Sequence, residues 1–209
     1  MNSQTNNKII LRESLSSSEE INIGDNEELV YIFFTDSEKG SEYFLEFVLT
    51  GINSSVKIFG FNIDSKGITS TNIKVIHQNK NTTGYSWIKS VLGGDAKSSI
   101  KGMVKIEKTA INANGYFTHN SLLISNLSQV VSTPSLEIET NDVKASHAST
   151  TGHLDNDILF YLKCRGIEEQ EAKRLVATSF AFEYVAKISD DNLQERIIGI
   201  LNDRIEKII

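Results

Sequence analysis

Two histidines, His147 and His153, stand six residues apart in the segment NDVKASHASTTGHLD, with Asp142 before them and Asp155 just after. Imidazole is a borderline metal ligand and a proton carrier near neutral pH, so such a pair invites a metal or acid–base reading. Six residues is not a recognised zinc spacing, however. His77 and His119 are isolated on strand-like text, where a structural or solvated role is the ordinary one. The single cysteine, Cys164, lies between Lys163 and Arg165 on helix-like text. One thiol excludes an intramolecular disulfide and any zinc or iron–sulfur site built from this chain's cysteines alone. Glu137 and Glu139 alternate on one strand face, and a solvated face explains them as well as catalysis does. The run GGDAKSS, Gly93 to Ser99, fails as a phosphate loop because Ala96, not glycine, precedes Lys97. No serine or cysteine sits in a nucleophile elbow.

Composition removes other classes of function. The 209 residues carry a net charge of −6, with 39% hydrophobic and 23% charged residues, which is globular composition. With a pI near 5.3, a general phosphate-binding role is disfavoured, since such proteins carry a basic field. No apolar run reaches the ~18 residues of a membrane span. The opening MNSQTNNKIILRESLSSSEE has no signal-peptide core, so a cytoplasmic protein is expected.

The elements that must hold these residues change near residue 154. Before it, short apolar runs alternate with Gly, Asn, Ser and Thr. Val56-Lys57-Ile58 and Val104-Lys105-Ile106-Glu107 put apolar groups on one face and charge on the other, as strands do. Ile58, Ile73, Ile88 and Met103 recur every fifteen residues, and Phe117 follows fourteen later. That period suits one coil of a β-helix, although an antiparallel sandwich accommodates it too. The uncharged stretch from Thr109 to Leu136 favours stacked coils, because Asn, Ser and Thr pair in ladders where like charges repel. After residue 154 helices are expected: one capped by Asp155, one from Glu168 to Lys187, and a last one opened by Asp191 with Gln194 as a capping box. That last helix carries Leu193, Ile197, Ile198, Leu201, Ile205 and Ile208, an apolar stripe that must face the chain or a partner.

One stretch, Thr133 to Ile188, is specific. It contains Pro134-Ser135-Leu136-Glu137-Ile138, then Asp142-Val143-Lys144 with His147, then Gly152, Leu154 and Asp155. Leu159-Phe160-Tyr161-Leu162, Arg165-Gly166-Ile167, Glu171-Ala172-Lys173-Arg174-Leu175 and Ala181-Phe182 follow. This resembles the carboxy-terminal core of the SufD and SufB proteins of iron–sulfur cluster assembly, on the SufD side, in a short form lacking their amino-terminal helical region. The resemblance implies a right-handed parallel β-helix followed by a small C-terminal helical domain, a mainly β chain with an α tail. The expected division is an N-terminal extension over 1–27, partly flexible, a β-helix core over 28–152 and helices over 153–209.

It also implies a function. The chain is expected to be a non-catalytic cytoplasmic scaffold in a SufBCD-type complex. It would pair through its β-helix with a SufB-like chain or a second copy of itself, and dock a SufC-type ABC ATPase through its helices. His147 matches the histidine that the SufD side brings to a transient iron–sulfur cluster, with His153 as the weaker alternative and Asp142 or Glu137 as candidates to orient the ring. Phe180, Phe182 and Tyr184, in a helical region rich in apolar residues, are the candidate partner anchors. Neither nucleic acid nor membrane is an expected partner. Two alternatives remain open: a β-helix polysaccharide lyase or carbohydrate-binding protein, and a purely structural homodimeric module.

Overall fold

The computed structural model describes residues 6–37 and 41–209. Eleven strands precede three α-helices among these residues. The strands are β1 (Asn6–Arg12), β2 (Ser18–Ile23), β3 (Glu27–Phe34), β4 (Glu42–Leu49), β5 (Ser55–Asp64), β6 (Ile68–His77), β7 (Thr83–Leu92), β8 (Lys97–Ile106), β9 (Ala113–Leu123), β10 (Gln129–Ile138) and β11 (Val143–His153). Odd-numbered strands form a six-stranded sheet and even-numbered strands a five-stranded one. Every pairing is parallel, which excludes the antiparallel sandwich and makes the chain a β-solenoid of about five turns.

The register corrects the expected period. Tyr31 pairs with Ile58, Ile58 with Ser86, Ser86 with Phe117 and Phe117 with His147, so one full coil takes 27 to 31 residues. The fifteen-residue recurrence is half a coil, the step from one sheet to the other. Ile58, Ile73, Ile88 and Phe117 do meet in the core between the sheets. Met103 does not: its neighbours Gly102 and Val104 point inward, and it lies on the outer face.

The solenoid also begins earlier than expected. β1 pairs with β3 and β2 with β4, so residues 6 to 23 are built into the first coil and are not an extension. The cause is position: a terminal coil is covered from one side only, so its strands, NNKIILR and SEEINI, carry shorter apolar runs. Residues 1 to 5 of the expected extension lie outside the described residues.

Asparagine turns the corners. Asn26, Asn53, Asn81 and Asn112 all take φ between 55° and 65°, a left-handed conformation that non-glycine residues other than Asn and Asp rarely accept. Their side chains form a ladder from coil to coil. Asn53 donates to Asn26 (3.1 Å), Asn81 to Asn53 (3.0 Å) and Asn112 to Asn81 (3.2 Å). The ladder stops there, since Val143 of the next coil lies over Ala113 and the place matching Asn112 is Asp142, which has no side-chain amide to donate.

The helices are α1 (Asn156–Cys164), α2 (Glu169–Phe182) and α3 (Asp191–Ile208). Asp155 caps α1 as expected, accepting from the Asp157 N–H. The second helix ends at Phe182 rather than Lys187, and a 3-10 turn at Val185–Lys187 follows. The cap of α3 is Asp190, one residue early, because its carboxylate reaches the Leu193 N–H while Gln194 turns back to the Ile188 carbonyl. The stripe on α3 faces the chain. Ile197, Leu201 and Ile205 pack with Ala177 and Ala181 of α2 onto Ile32, Phe34, Phe59 and Phe61, on the outer face of the six-stranded sheet. The helices are therefore a second layer that completes the fold. Each large side chain buried there contributes about 1.5–3 kcal/mol.

Candidate functional site at the open end of the solenoid

β10 and β11 close the last coil, and each has a neighbour on one side only. Along β11 the inward positions alternate: Val143 lies over Ala113, Ala145 over Gly115, His147 over Phe117, Ser149 over His119 and Thr151 over Ser121. In the interior coils, from β3 to β9, these positions are buried. Here no further coil covers them, and Val143 and Ala145 are only half-buried while His147, Ser149 and Thr151 are exposed. His147 thus occupies a core position of the repeat at an end that is open. On β10 the inward partners are Ser132, Pro134, Leu136 and Ile138, the last 44% exposed. The end presents a polar and apolar surface with two unpaired strand edges, a template for another chain.

The expected surroundings of His147 are not assembled. His153 lies on the same face of β11, but six residues of strand span about 20 Å, so the two rings cannot share an ion held at about 2 Å from nitrogen. Glu137 faces outward and pairs with Lys105 at 2.7 Å. Asp142 precedes β11, about 16 Å of strand from His147, and its carbonyl accepts the Asn112 N–H. Neither carboxylate orients the ring. Among the described residues no group of three His, Cys, Asp or Glu side chains could hold a metal ion within this chain. Cys164 is exposed at the end of α1.

Beneath the open end lies a histidine whose importance the sequence did not signal. His119 is fully buried, directly under Ser149. Its Nδ1 meets the Ser132 hydroxyl at 2.9 Å, and its Nε2 meets those of Ser90 (2.8 Å) and Ser121 (3.0 Å). Burial and the nearby Lys89 charge hold its pKa down at about 4, so the ring is neutral. His77, two coils back on the other sheet, is held at about 4 by burial and bonds Thr82 at 2.8 Å. Gly84 and Gly115 make room for it, since a Cβ at either would sit about 3 Å from its Nε2 (2.9 and 3.3 Å).

The proposed partner anchors face inward. Tyr184 is 4% exposed and accepts a hydrogen bond from Asn120 at 2.8 Å. Phe180 and Phe182 are half-buried against the helix–sheet core, and the Lys89 ammonium lies 3.7 Å from the Phe180 ring centre. These three hold the helices to the solenoid. The apolar side chains that α1 and α2 do expose are Ile158, Phe160, Tyr161 and Leu175, with Phe160 at 69%. Two of them, Phe160 and Tyr161, stand in the Leu-Phe-Tyr-Leu run that the sequence had already singled out. No helix is long and apolar enough to cross a membrane among the described residues.

Comparison with known proteins agrees with this architecture. Residues 16–180 match the model of the SufBD core domain of the SUF system of FeS cluster assembly. The chain is 28% identical over 158 residues to the iron–sulfur cluster assembly protein SufD of Escherichia coli, covering 75% of this chain and 37% of that protein. It is 36% identical over 126 residues to an iron–sulfur cluster assembly SufBD family protein of Mycobacterium bovis, covering 56% of the chain and 32% of the relative. Against SufD of Bacillus subtilis it is 30% identical over 133 residues, 64% of the chain and 30% of that protein. It spans about a third of the length of these relatives. With its parallel solenoid, its helical layer and a family match that covers most of its length, the chain belongs to the SufBD core family.

Proposed function

We propose that the chain is a non-catalytic scaffold component of SUF-type iron–sulfur cluster assembly. In this reading it pairs through the open end of its solenoid with a SufB-like chain or a second copy, and docks a SufC-type ATPase through α1 and α2. The observation that supports it best is His147: a metal-binding side chain at a core position of the last coil, uncovered and flanked by two free strand edges. One imidazole cannot build a cluster, whose usual ligands are thiolates. The partner supplies those thiolates, and the nascent cluster is cargo passed on rather than a resident group. Family membership sets the lyase reading aside.

The test is co-expression of the chain with the SufC-type ATPase and SufB-like protein of the same source, followed by size-exclusion chromatography with iron and sulfide analysis. A complex containing all three chains is expected. His147→Ala is expected to lower iron and sulfide severalfold at unchanged complex size. His153→Ala is expected to change neither. Full cluster content in the His147 variant would leave this chain a structural partner only.

A further inference from the structure

The two sheets of the solenoid differ in what lies outside them. The helices pack on the outer face of the six-stranded sheet. The outer face of the five-stranded sheet instead carries Phe44, Ile68 and Val131, which are 48, 61 and 60% exposed. A groove of ≈ 300 Å3 crosses this face from β4 to β10, with Phe44 as one wall and Lys101, Met103 and Thr133 toward the other. Exposed apolar side chains gathered beside a groove mark an interaction surface.

The charges of this face divide between its halves. The strand order is β10-β8-β6-β4-β2, which makes β6 the middle strand. Two ion pairs are closed within the face: Lys74 holds Glu46 at 3.1 Å, and Lys105 holds Glu137 at 2.7 Å. Glu20 on β2 and Glu42 on β4 remain, with Lys97 and Lys101 on β8. All four are exposed and make no ion pair among the described residues. The free charge is therefore acidic on one side of β6 and basic on the other.

A face divided in this way is complementary to itself. Glu42 pairs in register with Ser70 and Ser70 with Ser99, so Glu42 stands level with the midpoint between Lys97 and Lys101. Phe44 stands level with Asn72, Lys101 and Thr133. A two-fold axis running along β6, just outside the sheet, lays β8 of one copy over β4 of the other. It sets Lys97 and Lys101 of one copy on either side of Glu42 of the other. It also carries each Phe44 ring across to the groove of the other copy, beside Lys101 and Met103, and makes Ile68 meet its own counterpart at the axis. Sheets pack face to face in this aligned way about 10 Å apart. Five strands about 4.8 Å apart and up to ten residues long cover about 600 Å2 on each copy, enough for a specific interface at the small end of the range. We propose that this face binds a second copy of the chain about that axis, an isologous contact that leaves the open end of the solenoid free.

Sedimentation equilibrium of the full chain, without other proteins, tests this at concentrations up to about 100 μM. A monomer–dimer equilibrium is expected, with a Kd on the order of 10 μM for so small an interface. Phe44→Ser is expected to weaken the dimer at least about tenfold. Glu42→Lys and Lys101→Glu are each expected to weaken it at least about fivefold, because like charges then face each other. Mixed together, these two variants are expected to dimerise again. One chain carries only bases at the two positions and the other only acids, so both contacts are of opposite sign between unlike chains. Recovery on mixing also excludes misfolding as the cause of the loss. A wild-type chain that stays monomeric would overturn the proposal, as would a dimer that Phe44→Ser leaves unchanged or charge variants that fail to pair when mixed. The outcome is independent of the cluster-assembly reading, because none of the three varied residues lies on β10, β11 or the helices.

Discussion

The ammonium of Lys89, on β7 and fully buried, lies 2.6 Å from the carboxylate of Glu183, whose side chain is 58% exposed. The pair joins the solenoid to the end of α2, and the rings of Phe180 and Tyr184 pack on the same nitrogen at 3.7 and 4.5 Å. Burial lowers the Lys89 pKa, and Glu183 works in the opposite direction. The two ends of this contact are unequal, and the inequality is measurable.

Removing the acid strands a buried cation, whereas removing the lysine leaves an acid that water already reaches. Glu183→Gln is therefore expected to cost about 1–3 kcal/mol of stability, and Lys89→Met, which fills the same space without charge, less than that. Urea denaturation of both variants checks the order. The reverse order would mean that the cation–ring contacts outweigh the ion pair.

The asparagine ladder separates backbone strain from hydrogen bonding. Asn81 holds φ at 58° and bonds to both Asn53 and Asn112. Asn81→Ala loses both bonds and keeps the strained conformation, and about 2–3 kcal/mol is expected. Asn81→Gly loses the bonds but relieves the strain, so it is expected to be about 1 kcal/mol milder. Equal losses in thermal unfolding would show that strain plays no part.

Acid should unfold the chain through its interior histidines. His77 and His119 titrate near 4 when folded, against an ordinary value of 6.5. Between those values the unfolded chain binds more protons than the folded one, so stability falls as pH drops from about 6.5 to about 4. Each ring contributes up to about 3 kcal/mol to that loss. Stability measured across this interval in the double variant His77→Gln, His119→Asn is expected to be flatter than in the wild type.

On the helices, exposure separates the candidate docking residues of the proposed ATPase contact from the packing residues. The double variant Phe160→Ser, Tyr161→Ser is expected to weaken ATPase binding at least about tenfold with little change in melting temperature. Tyr184→Ala is expected to lower the melting temperature by several degrees, since it empties a buried site. Removing residues 155–209 altogether is not a usable control. It uncovers Ile32, Phe34, Phe59 and Phe61, so the remaining solenoid is expected to aggregate.

The strand text and the helical text were legible because their periods differ, and the break near residue 154 falls within two residues of the end of β11. The parallel arrangement was not legible from periodicity, since Ile58, Ile73 and Ile88 fit either sheet type. The ladder positions Asn26, Asn53, Asn81 and Asn112 carried the full coil length, and a search for recurring asparagine would have found it. Burial was harder to read. Phe180, Phe182 and Tyr184 resemble interface anchors by type, and only the course of α2 back across the sheet shows that they pack within the chain. Lys89 gave no sequence signal, because a lysine in a strand ordinarily faces water.

The clasp made by α3 has a consequence for how the protein is made. Arg196 pairs with Glu13, and Arg204 reaches the Glu13 and Thr35 carbonyls, so a late element is fastened to the first coils. Ile197, Leu201 and Ile205 shield phenylalanines that leave the ribosome well over a hundred residues earlier. Until that helix is synthesised, the growing solenoid shows an uncovered aromatic face. Coils that could otherwise form one by one during translation are locked together only when the helix arrives, and for that interval the nascent chain offers its neighbours an apolar face of the kind that associates.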